Sequence, residues 1–181
     1  MTFGEIAQSR LHEIAACSQA GAGVTRLPFT PEHRAALDQI RGWMEAAGLQ
    51  VHMDAAATLV GRCAGPEGSK TLLIGSHQDS VPGGGRYDGI MGIALACLAL
   101  EKIRREGLAP ACSVEVLAFA DEEGVRFPTA LLGPRVLAGT FDAAALGLAD
   151  RDGVTLGAAL AGFGGDPARL EALRRDPAEV L

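Results

Sequence analysis

The sequence predicts an α/β fold, a mostly parallel sheet with flanking helices. Three observations predict it. Residues 71–74, Thr71-Leu72-Leu73-Ile74, form a continuous apolar run, the pattern of a strand buried on both faces. Ile90 to Arg105 follows as an apolar helix, stopped by Gly107 and Pro110. Ser113 to Phe119 is a second apolar strand. Strand, helix and strand at these lengths make a βαβ unit, whose two strands run parallel across a right-handed crossover.

The remaining elements fall into place around that unit. Residues 5–17 carry Ile6, Leu11, Ile14 and Ala15 as an apolar stripe and predict a helix. A Gly, Thr and Pro-rich loop runs over residues 21–30. Thr30 then offers an N-cap, Pro31 suits the first helical position and Glu32 the first turn. Leu37, Ile40, Met44 and Ala47 recur at helical spacing, and Gly48 stops the helix. Leu49, Val51 and Met53 alternate with Gln50, His52 and Asp54, as in a half-buried strand. Residues 58–63 form a second short strand, ended by the Gly65-Pro66-Glu67-Gly68 turn. Later helices are predicted over residues 129–138 and 167–175, the second with Asp166 as cap and Pro167 at its first position.

Composition narrows the function. The 181 residues suit one domain, enough to bury roughly 70% of the unfolded surface. A net charge of −6 argues against nucleic acid and anionic membrane as partners, since both select a basic face. The longest apolar run, residues 89–100, falls short of the roughly 20 residues a bilayer demands. The N-terminus has neither the basic nor the apolar region of a secretory signal. Cys17, Cys63, Cys97 and Cys112 are scattered, with no C-x-x-C pair. Together these features predict reduced thiols in a cytoplasmic protein. His12, His33 and His52 lie on predicted amphipathic elements and read as surface or boundary histidines, and Trp43 reads as core or rim packing.

In open α/β sheets, ligands bind beyond the carboxyl ends of the strands. Three polar segments reach that edge: Gly75-Ser76-His77-Gln78-Asp79-Ser80, Gly83-Gly84-Gly85-Arg86-Tyr87-Asp88-Gly89 and Ala120-Asp121-Glu122-Glu123-Gly124. Each alone has an ordinary reading, as a chance H-x-D, a glycine-rich turn or a solvated acidic pair. Together they gather one imidazole and five carboxylates, Asp79, Asp88, Asp121, Glu122 and Glu123. Crowded carboxylates repel, and a divalent metal relieves them economically. The His77 imidazole suits metal ligation, and the Asp79 carboxylate, two residues on, suits the other ring N–H. Asp88, at a helix start beside glycines, suits a bridging carboxylate. Of Glu122 and Glu123, one suits metal and the other proton abstraction from a metal-activated water.

These residues resemble the M20 family of co-catalytic metallohydrolases, and most closely its branch of N-carbamoyl-L-amino-acid hydrolases and allantoate amidohydrolases. The resemblance rests on residues 75–81, residues 84–89 and Glu122-Glu123-Gly124-Val125-Arg126-Phe127-Pro128-Thr129-Ala130, with Gly23-Val24-Thr25-Arg26-Leu27 and Leu137-Ala138-Gly139-Thr140 in support. The Arg126-Phe127-Pro128 extension separates this branch from ordinary M20 peptidases. The resemblance implies a zinc-exopeptidase-like catalytic domain holding two divalent metal ions, zinc, manganese, cobalt or nickel. It implies that His77 binds one ion, Glu123 the other, and Asp88 bridges them. Glu122 is then the general base and Asp79 the residue that orients His77. The implied reaction is hydrolysis of a linear amide or ureido C–N bond in a small molecule. An M20 aminopeptidase or deacylase, and a non-catalytic remnant of such an enzyme, are the alternative readings.

Two departures from the family pattern stand out. Ala57-Thr58 replaces the usual Gly-Asn before Leu59. The chain also lacks two further histidines that complete the family's site, one in a His-Ile-Glu-Gln-Gly segment, and the inserted domain that supplies dimer contacts and substrate-carboxylate recognition. Asp176-Pro177 signals another helix start, yet only four residues follow. The expectation is therefore that residues 1–181 are the N-terminal part of a truncated catalytic domain, from an enzyme that is a homodimer at full length and inactive as this part alone.

Overall fold

The structure, a computed structural model, describes all residues, 1–181. The sheet has four strands, β1 (Gln50–Met53), β2 (Leu59–Cys63), β3 (Thr71–His77) and β4 (Ser113–Phe119), in the order β1-β2-β4-β3. β3 and β4 pair in parallel and are joined by helix α3 (Ile90–Arg105), as the βαβ pattern predicts. The sheet is mixed rather than mostly parallel, because β1 pairs antiparallel with β2, and β2 antiparallel with β4. The cause is the short connection over residues 54–58, which permits only an antiparallel hairpin. In that turn Asp54 Oδ1 accepts the N–H groups of Ala56 and Thr58, both at 2.9 Å. Ala57 takes a φ of 60°, the left-handed region, where the family pattern has glycine.

β4 is buried along its whole length, whereas β3 lies at the sheet edge with Leu72 exposed. The expectation that residues 71–74 are buried on both faces therefore holds for the other strand of the unit. Val114, Val116 and Ala118 of β4 face a large core shared with α1 (Phe3–Ile14), α2 (Pro31–Ala46) and α3. Leu117 and Phe119 face the opposite side, with Val60 and Leu137. β4 is covered by α1, α2 and α3 on one face and by Leu137 of α4 on the other, which explains its near-continuous apolar sequence.

The helix signals read well. Thr30 accepts the N–H of His33 with Pro31 at the first helical position, and Thr2 and Glu5 form a capping box on α1. Beyond residue 131 the prediction is weaker. α4 is limited to Leu132–Ala138, and α5 (Leu156–Phe163) was not foreseen. Residues 167–175 form two single 3-10 turns, although Asp166 does cap the first. No helix begins at Asp176. Val180 instead lies beside Thr71, where Thr71 N–H donates to Glu179 O and Leu181 N–H to Thr71 O, both at 2.9 Å. No helix is long and apolar enough to cross a membrane.

His33 departs most from its predicted place, being 0% exposed. It stacks on Phe163 with ring centroids 4.6 Å apart, and its Nδ1 accepts the Phe29 N–H at 2.8 Å. Burial, with the nearby charges of Arg26 and Arg34, pushes its pKa down to about 3. His12 and His52 are exposed, as expected, and Trp43 is buried.

A base whose folded pKa is depressed contributes full stability above its unfolded value near 6.5 and loses it as pH falls toward 3. The expected acid loss from His33 is on the order of 5 kcal/mol, and His33→Asn, which keeps an acceptor at the Nδ1 position, should flatten it. Urea unfolding between pH 7 and 4 measures both slopes. Equal slopes in the two proteins would show that other groups drive acid unfolding.

Candidate metal centre

The parallel register sets the site. His77, the last residue of β3, pairs with Phe119, the last of β4, and Gln78 N–H donates to Phe119 O at 3.2 Å. Beyond that pair the loops over residues 78–89 and 120–131 leave from one sheet edge. The first loop returns at the start of α3 and carries Asp88 with it.

Ligating atoms of His77, Asp88 and Glu123 all lie within 4.8 Å of one another. The structure thus gathers the three residues singled out as metal ligands. His77 Nε2 is 3.8 Å from Asp88 Oδ1 and 3.9 Å from Glu122 Oε2. His77 Nδ1 lies 2.9 Å from the backbone oxygen of Asp79. A carbonyl only accepts, so Nδ1 carries the proton and the Nε2 lone pair faces the carboxylates. That tautomer suits a metal ligand.

The ring is thus oriented by the Asp79 carbonyl. The Asp79 carboxylate, proposed for that contact, lies farther off at 3.7 Å. It does other work. Fully buried, it accepts the Glu122 N–H at 3.1 and 3.2 Å and the Glu123 N–H at 3.1 Å. Burial raises its pKa to about 6, against the opposing pull of those two amides. One residue therefore fixes the imidazole through its backbone and both glutamates through its side chain.

Asp121 is 0% exposed, so it lies behind the cluster rather than at its open edge. Both its carboxylate oxygens are buried without a partner, as is the side-chain amide of Gln78. Burial, then the charge of Asp79, pushes the Asp121 pKa up to about 8. The backbone around it is tied down, because Asp121 O accepts the Leu132 N–H at 2.8 Å and Glu122 O the Leu131 N–H at 3.0 Å.

Two arginines matter more than the sequence suggested. Arg126 joins Asp150 Oδ2 at 3.0 Å and the Pro28 carbonyl at 2.7 Å, anchoring the loop that follows Glu123. Its guanidinium is thereby committed to the protein. Arg26 is buried beneath the His77 loop. Both sit in motifs that the sequence exposed, but neither motif reveals which atoms an arginine reaches.

Gly89 is the tightest point. Its φ is 64°, and a Cβ there would lie 2.5 Å from His77 Cε1. Its carbonyl accepts the Ser76 hydroxyl at 2.7 Å. Gly89→Ala should therefore cost about 1–3 kcal/mol and displace the His77 ring. Urea unfolding and the His77 imidazole NMR signals measure the two effects. Wild-type stability with unmoved signals would contradict the packing described.

Residues 73–171 match peptidase family M20/M25/M40. The chain is 40% identical over 182 residues to an N-carbamoyl-L-amino acid amidohydrolase of Geobacillus stearothermophilus, covering 99% of this chain and 44% of that protein. It is 40% identical over 179 residues to an allantoate deiminase of Arabidopsis thaliana, covering 96% and 34%. The fold matches the crystal structure of a hydantoinase/carbamoylase family amidase from Burkholderia ambifaria with a TM-score of 0.84 and 33% identity, covering 90% and 41%. The chain thus spans between 34% and 44% of the length of these relatives. The family match takes in more than half of this chain and includes His77, Asp88, Glu122 and Glu123, and on that ground the chain belongs to peptidase family M20/M25/M40.

Proposed function

We propose that this chain carries the metal site and general base of an amidohydrolase that cleaves linear amide or ureido C–N bonds, of the N-carbamoyl-L-amino-acid or allantoate type. One observation carries the reading. His77, Asp88 and Glu123 converge within 4.8 Å, while a separate carboxylate, Glu122, stands 3.9 Å from the same imidazole. The names of the relatives above support the substrate class. Their greater length supports reading residues 1–181 as one part of a catalytic domain.

The donor set fits divalent cations. One imidazole and two carboxylates suit zinc, manganese, cobalt or nickel, and the carboxylates repel each other without a cation. His77, Asp88 and Glu123 would hold such ions. Such ions, when bound, polarise a carbonyl oxygen and lower the pKa of water. Glu122 takes the proton of the water that attacks the carbonyl carbon and passes it to the leaving nitrogen. Asp79 fixes the backbone of Glu122 and Glu123 by accepting both of their amides, and its carbonyl keeps the His77 lone pair on Nε2. A carbamoyl substrate would release ammonia, carbon dioxide and the free amino acid. Four free cysteines suit a reducing compartment, in keeping with a cytoplasmic enzyme.

The test uses the enzyme that carries this chain. Glu122→Gln should lower kcat by about 10²–10⁴-fold with zinc content unchanged. Glu123→Ala should lose zinc. Wild-type turnover after Glu122→Gln would remove the general-base role. N-carbamoyl-L-amino acids and allantoate should be hydrolysed in preference to dipeptides, and the reverse preference would favour a peptidase.

A further inference from the structure

We infer that Arg26 is a positioning residue for the metal centre, acting through the loop that joins β3 to α3. The inference rests on the metal-site reading above.

Arg26 is 2% exposed, and no carboxylate pairs with it. Its guanidinium spends its hydrogen bonds on carbonyls: Nε donates to Gln78 O at 2.6 Å, and one terminal nitrogen donates to Ile14 O at 3.0 Å and Cys17 O at 2.9 Å. The last two belong to the end of α1, where a cation is welcome. The first belongs to the peptide between His77 and Asp79. That peptide is the pivot of the site, with the His77 ring on one side. On the other is Asp79, whose carbonyl orients the ring and whose carboxylate holds the amides of Glu122 and Glu123.

The backbone around Arg26 reinforces the same loop. Arg26 N–H donates to Ser80 Oγ and Ser80 N–H to Arg26 O, both at 3.0 Å, and Ser80 Oγ donates to Val24 O at 3.0 Å. Val24 exchanges two backbone hydrogen bonds with Gly84, and Gly83 N–H donates to Thr25 Oγ1 at 2.8 Å. Residues 24–26 thus hold residues 78–84 from below, leaving only Gly85, Arg86 and Tyr87 before Asp88. Burying a cation against carbonyls alone is costly, and apolar packing would stabilise a loop at less expense. A guanidinium can fork between Gln78 O and the end of α1 with fixed planar geometry, which no apolar side chain and no ammonium reproduces.

The experiment measures zinc affinity of the enzyme that carries this chain, by competition with a chromophoric chelator, beside thermal stability. Arg26→Gln should weaken zinc binding about 10–100-fold, as loss of residues that orient metal ligands does. Arg26→Lys should recover part of that loss, and Ser80→Ala should weaken binding in the same direction. Leu160→Ala, in the core on α5, should lower the melting temperature and leave zinc affinity within about twofold, a large cavity cost being expected there. If Arg26→Gln does not fold, Arg26→Lys and Ser80→Ala decide by the same criterion. Variants that melt earlier yet bind zinc as the wild type does would overturn the inference and leave Arg26 a purely structural residue. A wild-type enzyme that binds none of zinc, manganese, cobalt and nickel would overturn the metal-site reading, and this inference with it.

Discussion

Seven residues of β3 lie in parallel register with seven of β4, and the last pair, His77 opposite Phe119, decides where His77, Asp88, Glu122 and Glu123 gather. A parallel pair must be joined by a long crossover, and here α3 supplies it. The crossover leaves from the carboxyl end of β3 and begins its helix near that same end. Two loops therefore meet at one edge, although their acidic and imidazole side chains come from positions up to 46 residues apart. Slipping the register by one residue would turn His77 to the opposite face of the sheet.

The polar groups behind that edge are arranged in depth. Asp88 is open to solvent, Glu122 is half-buried, and Asp79 and Asp121 are buried. The buried carboxylates receive unequal support. Asp79 has the amides of two glutamates, while Asp121 has no hydrogen-bond partner and is held toward its protonated form by burial and by Asp79. Arg26 and Arg126 bring positive charge into the same layer, yet both give hydrogen bonds to backbone carbonyls. They tie the loops at the sheet edge by polar contacts, beside the buried side chains of Val24 and Phe127.

Much of the molecule was legible in the sequence. The bounds of α3 and β4 match their predicted limits, because mainly apolar segments are flanked by clear breakers. Thr30 and Pro31 announced α2, because capping is a local interaction. His77, Asp88 and Glu123 were legible as a group because the strand-end rule places loops without needing side-chain detail. The predicted histidine orientation by the Asp79 carboxylate was not met, since the turn after β3 carries the Asp79 carbonyl closer to Nδ1. β3 was read as doubly buried because an apolar run reports burial without saying which strand is central. His33 was read as a boundary residue because an amphipathic pattern cannot show that Phe163, far along the chain, closes over it. The turns over residues 167–173 follow from their docking on α4 and α5, which local propensity does not record.

By itself the sequence determined the element types up to residue 131, the α/β class and the inventory of chemically capable residues, because periodicity, caps and breakers act over a few neighbours. The tertiary structure alone decided that β4 is central and the sheet mixed, that His33 is buried, and that Asp79 serves the glutamates through its carboxylate and the imidazole through its carbonyl. It also decided that Arg26 lies beneath the His77 loop. These are contacts between segments distant in sequence, and their geometry is set by strand order and register.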